Sequence, residues 1–314
     1  MIAAAKRALD AWQRLPGNTR GAVYLVINAL LSAGLAYFIR LASKTMPTAE
    51  IIFFRNLFSI SILLPLAFWP GRPNAYRTKR LPLHIVRGFL SCASMACFYW
   101  SYSFLPLAES TALMFTMPLF IIVLSILFLG ERVGWRRTTA TMLGFGGVLL
   151  MLRPGSGTLD IALLVPLAIG LIDGTITLVV KQLTKTERLL TIILYMGTVT
   201  FIVWLLPAYF TWKDPTWHEV FLMFMVSFFS ITALVFAIMG WRAGETTVIA
   251  PVNYCQIIII GAVGFLFFAE VPDIWAAMGA AVIVGSTLYI VQREARLKHK
   301  PMPVRADEQG PTTT

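Results

Sequence analysis

Acidic side chains are scarce in this chain: 15 Asp and Glu stand among 314 residues, against 26 Lys and Arg. Charged residues of both signs together reach only 13%, while apolar residues reach 58%. That balance cannot cover a large soluble domain with polar surface, so an integral membrane protein is expected. Histidine is nearly absent, and His84, His218 and His299 fall at or outside the edges of the apolar runs. Cys92, Cys97 and Cys255 all lie inside such runs, an odd number without metal-ligand spacing, and read as small buried apolar side chains. No metal, no cofactor and no disulfide framework is expected. No Gly-rich phosphate loop of the GxxxxGK[ST] kind occurs, which excludes a nucleotide-driven pump. No second deep carboxylate accompanies Asp173, which argues against an intramembrane enzyme.

What the sequence has in abundance is long apolar runs. At about 20 residues per bilayer crossing, ten spans are predicted at 21–43, 50–69, 83–105, 110–129, 135–152, 161–180, 189–212, 220–239, 247–268 and 274–291. The net charge of +11 is distributed by loop, not by patch. Twenty Lys and Arg fall in alternate loops and at the two ends of the chain, whereas only Lys44, Arg153 and Lys213 fall in the opposite loops. By the positive-inside rule both termini are cytoplasmic, so the basic charge reports topology and not nucleic acid. Attraction to anionic inner-leaflet lipid is a secondary consequence. Residues 1–20 mix Lys6, Arg7, Asp10 and Arg14 with apolar positions and Trp12, which suits a cytoplasmic amphipathic helix and not a cleavable signal. The charged and then Pro- and Thr-containing tail, 293–314, is expected to be disordered.

One block occurs twice. LAESTALMFTMPLFIIVLSILFLGERVGW at 107–135 and AGETTVIAPVNYCQIIIIGAVGFLFFAEVPDIW at 243–275 each open on a carboxylate and hydroxyls, run through an apolar stretch broken by a proline, and close on a glutamate, Glu131 or Glu270. A weaker echo relates SAGLAYFIRLAS at 32–43 to DGTITLVVKQLT at 173–184, with Arg40 and Lys181 separated by 141 positions. The predicted fold is therefore all-α, ten transmembrane helices as two inverted five-helix repeats, 21–155 and 156–292. An odd number of spans per half, and the charge pattern independently, put Glu131 at the cytoplasmic face and Glu270 at the periplasmic face.

AEIIFFRNL (49–57), LPLAESTALMFTMPLF (105–120), LGERVGWRR (129–137), GFGGVLLMLRPG (144–155), IAPVNY (249–254) and AEVPDIWAAMGAAVIVGSTLYI (269–290) resemble the bacterial drug/metabolite transporter superfamily in its ten-span EamA-type branch. The resemblance covers both halves. It implies transport of a small molecule through a central cavity between spans one to four and six to nine, with spans five and ten at the periphery. The solutes it implies include riboflavin-like vitamins, S-adenosylmethionine and amino acids. The main expectation is a secondary active transporter working by alternating access, with proton coupling open; a facilitative channel or a multidrug exporter of the same fold is the alternative. Pro251 departs from the pattern, because it lies farther from its closing glutamate than Pro118 does, and Ile257 holds the comparable place.

Candidate site residues follow from what hydrocarbon does not tolerate. Arg55 stands in the run IIFFRNLF; facing lipid it would cost about 2.5 to 3.5 kcal/mol at a helix centre. It is read either as an anion-binding or gating cation in the cavity, or as a structural partner of Glu50 or Glu109. Asp173 is roughly 18 Å along its helix from Ile161, near mid-membrane, and is read as a site for a proton or a substrate amine, or as a neutral group bonded to a neighbouring helix. Asn28, Tyr99, Trp100, Asn253, Tyr254 and Gln256 add amide, phenol and ring surface for a planar or aromatic solute. Pro118 and Pro251 are read as helix breaks that line a cavity or bend during transport. Gly144, Gly147, Gly279 and Gly285 allow close helix packing, within one subunit or across a homodimer.

Overall fold

The computed structural model describes residues 15–67, 77–129, 135–152, 161–244, 249, 252–271 and 273–298. The amphipathic segment before Leu15, the tail beyond Lys298, Glu131 and Pro251 lie outside the described residues; residues 293–298, expected to be disordered, are instead helical and continue the last helix to Lys298. Within them every regular element is helical: α1 (Gly17–Ala42), α2 (Thr48–Ala67), α3 (Leu81–Phe104), α4 (Leu107–Met114), α5 (Met117–Leu129), α6 (Trp135–Leu152), a 3-10 turn (Ile161–Leu163) leading into α7 (Leu164–Leu183), α8 (Leu189–Thr211), α9 (Trp217–Ala243), α10 (Cys255–Phe268) and α11 (Ile274–Lys298). In hydrocarbon a backbone must satisfy its own N–H and C=O groups, which is why runs of Leu, Ile, Val and Phe fold this way here despite their middling propensity in water.

Among the described residues six stretches are long and apolar enough to cross a bilayer: Gly17–Ala42, Leu81–Phe104, Leu107–Leu127, Ile161–Leu183, Leu190–Thr211 and Trp217–Ala243. Shorter apolar helices run over Thr138–Leu152, Cys255–Phe268 and Ile274–Tyr289. Their outer faces leave Phe89, Leu127, Leu206, Phe265 and Leu266 each more than half exposed, a surface that requires lipid around it. The chain is a multi-pass membrane protein.

The span at 110–129 is divided. α4 ends at Met114, α5 begins at Met117, and Pro118 sits in the first turn of α5. Thr116 fills the gap: its hydroxyl donates to Leu113 O at 2.6 Å, and its carbonyl accepts from Leu119 N at 2.8 Å.

α1 packs most extensively on α9, α6 on α11, α2 on α8, and α3 on both α7 and α8. α10 bridges α1 and α4, while α5 lies on α7. Small residues make the first of these contacts close: a Cβ on Gly21 would stand 3.1 Å from Gly240 O, so the two backbones nearly touch. The main buried cluster, with Ile39, Ile51, Ile52, Tyr99, Leu107, Met223 and Ile260, ties α1, α2, α3, α4, α9 and α10 together.

Candidate functional site

Two oppositely charged side chains lie against neighbouring positions of α3. From α7, Asp173 Oδ1 accepts a hydrogen bond from Ser94 Oγ at 2.6 Å. From α2, Arg55 Nη1 reaches Met95 Sδ and Asn56 Oδ1, both at 3.4 Å, and Arg55 Nε donates to Ser230 Oγ of α9 at 3.2 Å. Among the described residues neither charge has an ion partner. Pairing of Arg55 with Glu50 or Glu109 is not what holds it, since Arg55 forms no ion pair among the described residues; Glu50 is fully buried and its Oε1 accepts from Lys213 N at 2.6 Å.

The surroundings of Arg55 are polar but unfinished. Tyr99, one turn along α3 from Met95 and near enough to feel the Arg55 charge, is buried with a hydroxyl that has no partner. Trp204 of α8, packed on the same cluster, likewise leaves Nε1 unsatisfied. Asn56, buried, gives Nδ2 to Ile52 O and takes Thr200 Oγ1 on its oxygen, fixing the wall between α2 and α8. On the Asp173 side, Cys97 of α3 lies within the field of the carboxylate. A buried polar atom without a partner costs about 1 to 3 kcal/mol, and Tyr99 and Trp204 are two places beside this group where such a bond is unmade.

The other sequence candidates divide. Asn28 is buried in α1. Trp100, adjacent to Tyr99 and therefore turned to another face of α3, packs on the separate cluster of Leu105, Ala112, Leu113 and Leu163 and stacks near Phe104, away from the Arg55 group. Tyr254 stands immediately before α10, its ring centroid 4.9 Å from that of Phe115, and its hydroxyl bonds Thr287 of α11. Asn253 and Gln256 flank it, each half-buried.

A polar cluster at one end of the bundle was not anticipated as a unit. Arg40, in the last turn of α1, forms an ion pair with Glu270 Oε1 and donates to Ser103 O and Leu105 O, the carbonyls that end α3. Glu270 Oε2 accepts from Leu107 N at 2.7 Å, the first amide of α4. Glu270 reaches these partners because α10 ends on Ala269 with φ 54°, the left-handed conformation, and because Gly264 leaves room: a Cβ there would stand 2.5 Å from Glu270 Oε2. Arg40 and Glu270 each stood out in the sequence as lone charges within repeated segments. Their pairing across 230 positions did not.

Comparison with known proteins places this arrangement. The EamA-like transporter family matches residues 19–153. The S-adenosylmethionine uptake transporter of Rickettsia felis is 28% identical, over 79% of this chain and 84% of its own. The riboflavin transporter of Rhizobium johnstonii is 30% identical, over 81% and 84%, and the pseudopaline exporter of Pseudomonas aeruginosa is 27% identical, over 83% and 89%. One solved crystal structure superposes with a TM-score of 0.54 at 15% identity, covering 89% of this chain and 99% of that one, a likeness of fold alone. The relatives are transporters of small molecules and not enzymes, and the chain belongs to the EamA-like transporter family, within the drug/metabolite transporter superfamily.

Proposed function

We propose that the protein is a secondary carrier that moves a small zwitterionic metabolite across the bacterial inner membrane by alternating access. The observation that carries this reading is that Arg55 and Asp173, each without an ion partner among the described residues, meet neighbouring positions of α3. Left alone inside a bundle, each is unfavourable by several kcal/mol. A solute that brings a carboxylate to Arg55 and an ammonium or sulfonium to Asp173 satisfies both at once. S-Adenosylmethionine has these groups and a flat ring besides, and two of the relatives carry S-adenosylmethionine and pseudopaline by name. Riboflavin, named for a third relative, lacks the charges and fits this site less well. Asp173 would also hold a proton when the site is empty, which is the proposed route to proton coupling.

Alternating access rests on an inverted repeat, and the packing supports one. Exchanging the first five spans for the second five turns the α1–α9 contact into α7–α3, α10–α1 into α5–α7, and α3–α8 into α9–α2, all of which occur. Phe115 and Tyr254, which touch, are 139 positions apart, the same separation that relates Glu131 to Glu270. Gly147 and Gly279 meet reciprocally: a Cβ on each would lie within 2.8 Å of the carbonyl oxygen of the other. Contacts of i to j matched by j to i are what a two-fold axis produces. The basic loops support cytoplasmic termini, so the Arg40 end is assigned to the periplasm.

Proteoliposomes loaded with unlabelled S-adenosylmethionine and diluted into the labelled compound test the reading. Transient accumulation of label is expected, with Arg55→Gln and Asp173→Asn each lowering it at least about tenfold, the worth of one 1.4 kcal/mol contact. Fast flux without exchange acceleration would point instead to a channel. If Asp173→Asn kept full transport driven by a pH gradient, that residue would have no part in coupling.

A further inference from the structure

We infer a second binding site, for a phosphate-bearing anion, at the end of the bundle opposite Arg40, between the start of α3 and the start of α8. A cavity of about 580 Å³ opens there. Arg77, Lys79, Arg80 and Arg188 line it, and among the described residues none of the four forms an ion pair. The one carboxylate in the lining, Glu187, is held within it: Oε1 accepts from Thr78 Oγ1 at 2.8 Å and from Lys79 N at 3.3 Å, both lining residues. Four cations face one occupied anion.

The backbone adds to this field. α3 begins after Arg80 and α8 after Arg188, and neither start carries a side-chain cap; at α3 Pro82 has no N–H and Leu83 N is bonded to Arg80 O, which leaves the Leu81 amide. Two helix starts converging with Arg side chains are a recurrent way to hold phosphate.

His84 adjoins the cavity. It lies one turn along α3 from Arg80, is 1% exposed, and has no partner on either ring nitrogen. Its ring stacks on Tyr195, with centroids 4.5 Å apart, and Tyr195 lies one turn along α8 from the lining residue Thr191. The pair lies beside the cavity and outside its lining, and the Glu187 carboxylate and the Arg87 guanidinium both act on the His84 ring.

The site flanks the ends of two apolar spans, where the headgroup of a membrane lipid sits, and basic pockets between helices on the cytoplasmic side take such headgroups. A soluble phosphate compound carries the same chemistry. The site is separate from the Arg55 and Asp173 pair, which contacts α3 about three turns deeper, so its test does not depend on what the protein transports.

The test is ligand binding to the full chain in neutral detergent, followed by native mass spectrometry and thermal shift, with phosphatidylglycerol, inorganic phosphate and phosphatidylcholine in separate arms. The wild type should bind phosphatidylglycerol or phosphate and be stabilised by it, without response to phosphatidylcholine. Binding of phosphatidylglycerol alone assigns the site to a lipid headgroup; binding of phosphate alone assigns it to a soluble anion. Arg80→Gln with Arg188→Gln should weaken binding about a hundredfold, tenfold for each lost charged contact. Glu187→Gln, which keeps an acceptor oxygen for Thr78 and Lys79, should tighten it, a gain that misfolding cannot imitate. No binding by the wild type, equal binding by the double variant, or no tightening by Glu187→Gln would overturn the assignment.

Discussion

The two ends of α3 use positive charge in opposite ways. At the Arg40 end the charge is consumed: Arg40 meets Glu270 and two carbonyls, Glu270 caps Leu107, and Glu50 holds Lys213 N. Thr216 and Glu219 form a capping box at the start of α9 that also reaches Thr45. At the Arg80 end, roughly 36 Å away along the helix, four cations line a cavity and form no ion pair among the described residues. Between them stand Arg55 and Asp173, likewise without ion partners among the described residues. A charge with an internal partner closes a structure; a charge without one waits for something from outside. Stability should therefore depend on Arg40 and its neighbours, and transport or binding on the others.

The largest effect is expected from Glu270→Gln. The Arg40 and Glu270 side chains are 14% and 18% exposed, so the loss should approach that of a buried pair deprived of one member, on the order of 3 kcal/mol. Thermal unfolding in detergent reads it, and a cost near zero would show that this pair does not hold the end closed. Glu50→Ala strands Lys213 N and should cost about 1 to 3 kcal/mol by the same measurement. Ala269→Gly relieves a left-handed alanine and should raise stability by about 1 kcal/mol or less; a decrease would mean that the turn before Glu270 is not strained. Smallest of all, Arg188→Gln at the cavity end should change stability by less than about 0.5 kcal/mol in the absence of an anion. A larger loss there would erase the difference between the two ends.

Much of the fold was legible because bilayer thickness forces long apolar runs, and those runs are helices where they were read. The break near Pro118 was legible in kind but not in place. The ring clashes with the carbonyl four residues earlier, that of Met114, so the interruption falls ahead of the proline, at Phe115 and Thr116. Arg55 and Asp173 were legible as charges that hydrocarbon does not tolerate. Their shared contact with α3 was not, since it depends on α2 and α7 approaching Met95 and Ser94 from separate parts of the chain. Tyr99 and Trp100 show the limit of listing polar residues: adjacent on a helix, they serve different clusters. The glycines read as either internal or dimer contacts are used internally at Gly144, Gly147 and Gly279, while Gly285 has open space beside it. Arg77, Lys79, Arg80 and Arg188 were absorbed into the sidedness signal, which explains where basic residues lie but not that four of them converge.

The central claim is that Arg55 and Asp173 lack ion partners among the described residues because a zwitterionic solute supplies both. Counterflow of the labelled sulfonium zwitterion through Arg55→Gln and Asp173→Asn proteoliposomes, with unfolding temperature recorded on the same preparations, tests it most directly. The account predicts that both variants lose counterflow while unfolding no lower than the wild type. Undiminished counterflow, or a loss that merely follows a fall in stability, would contradict it.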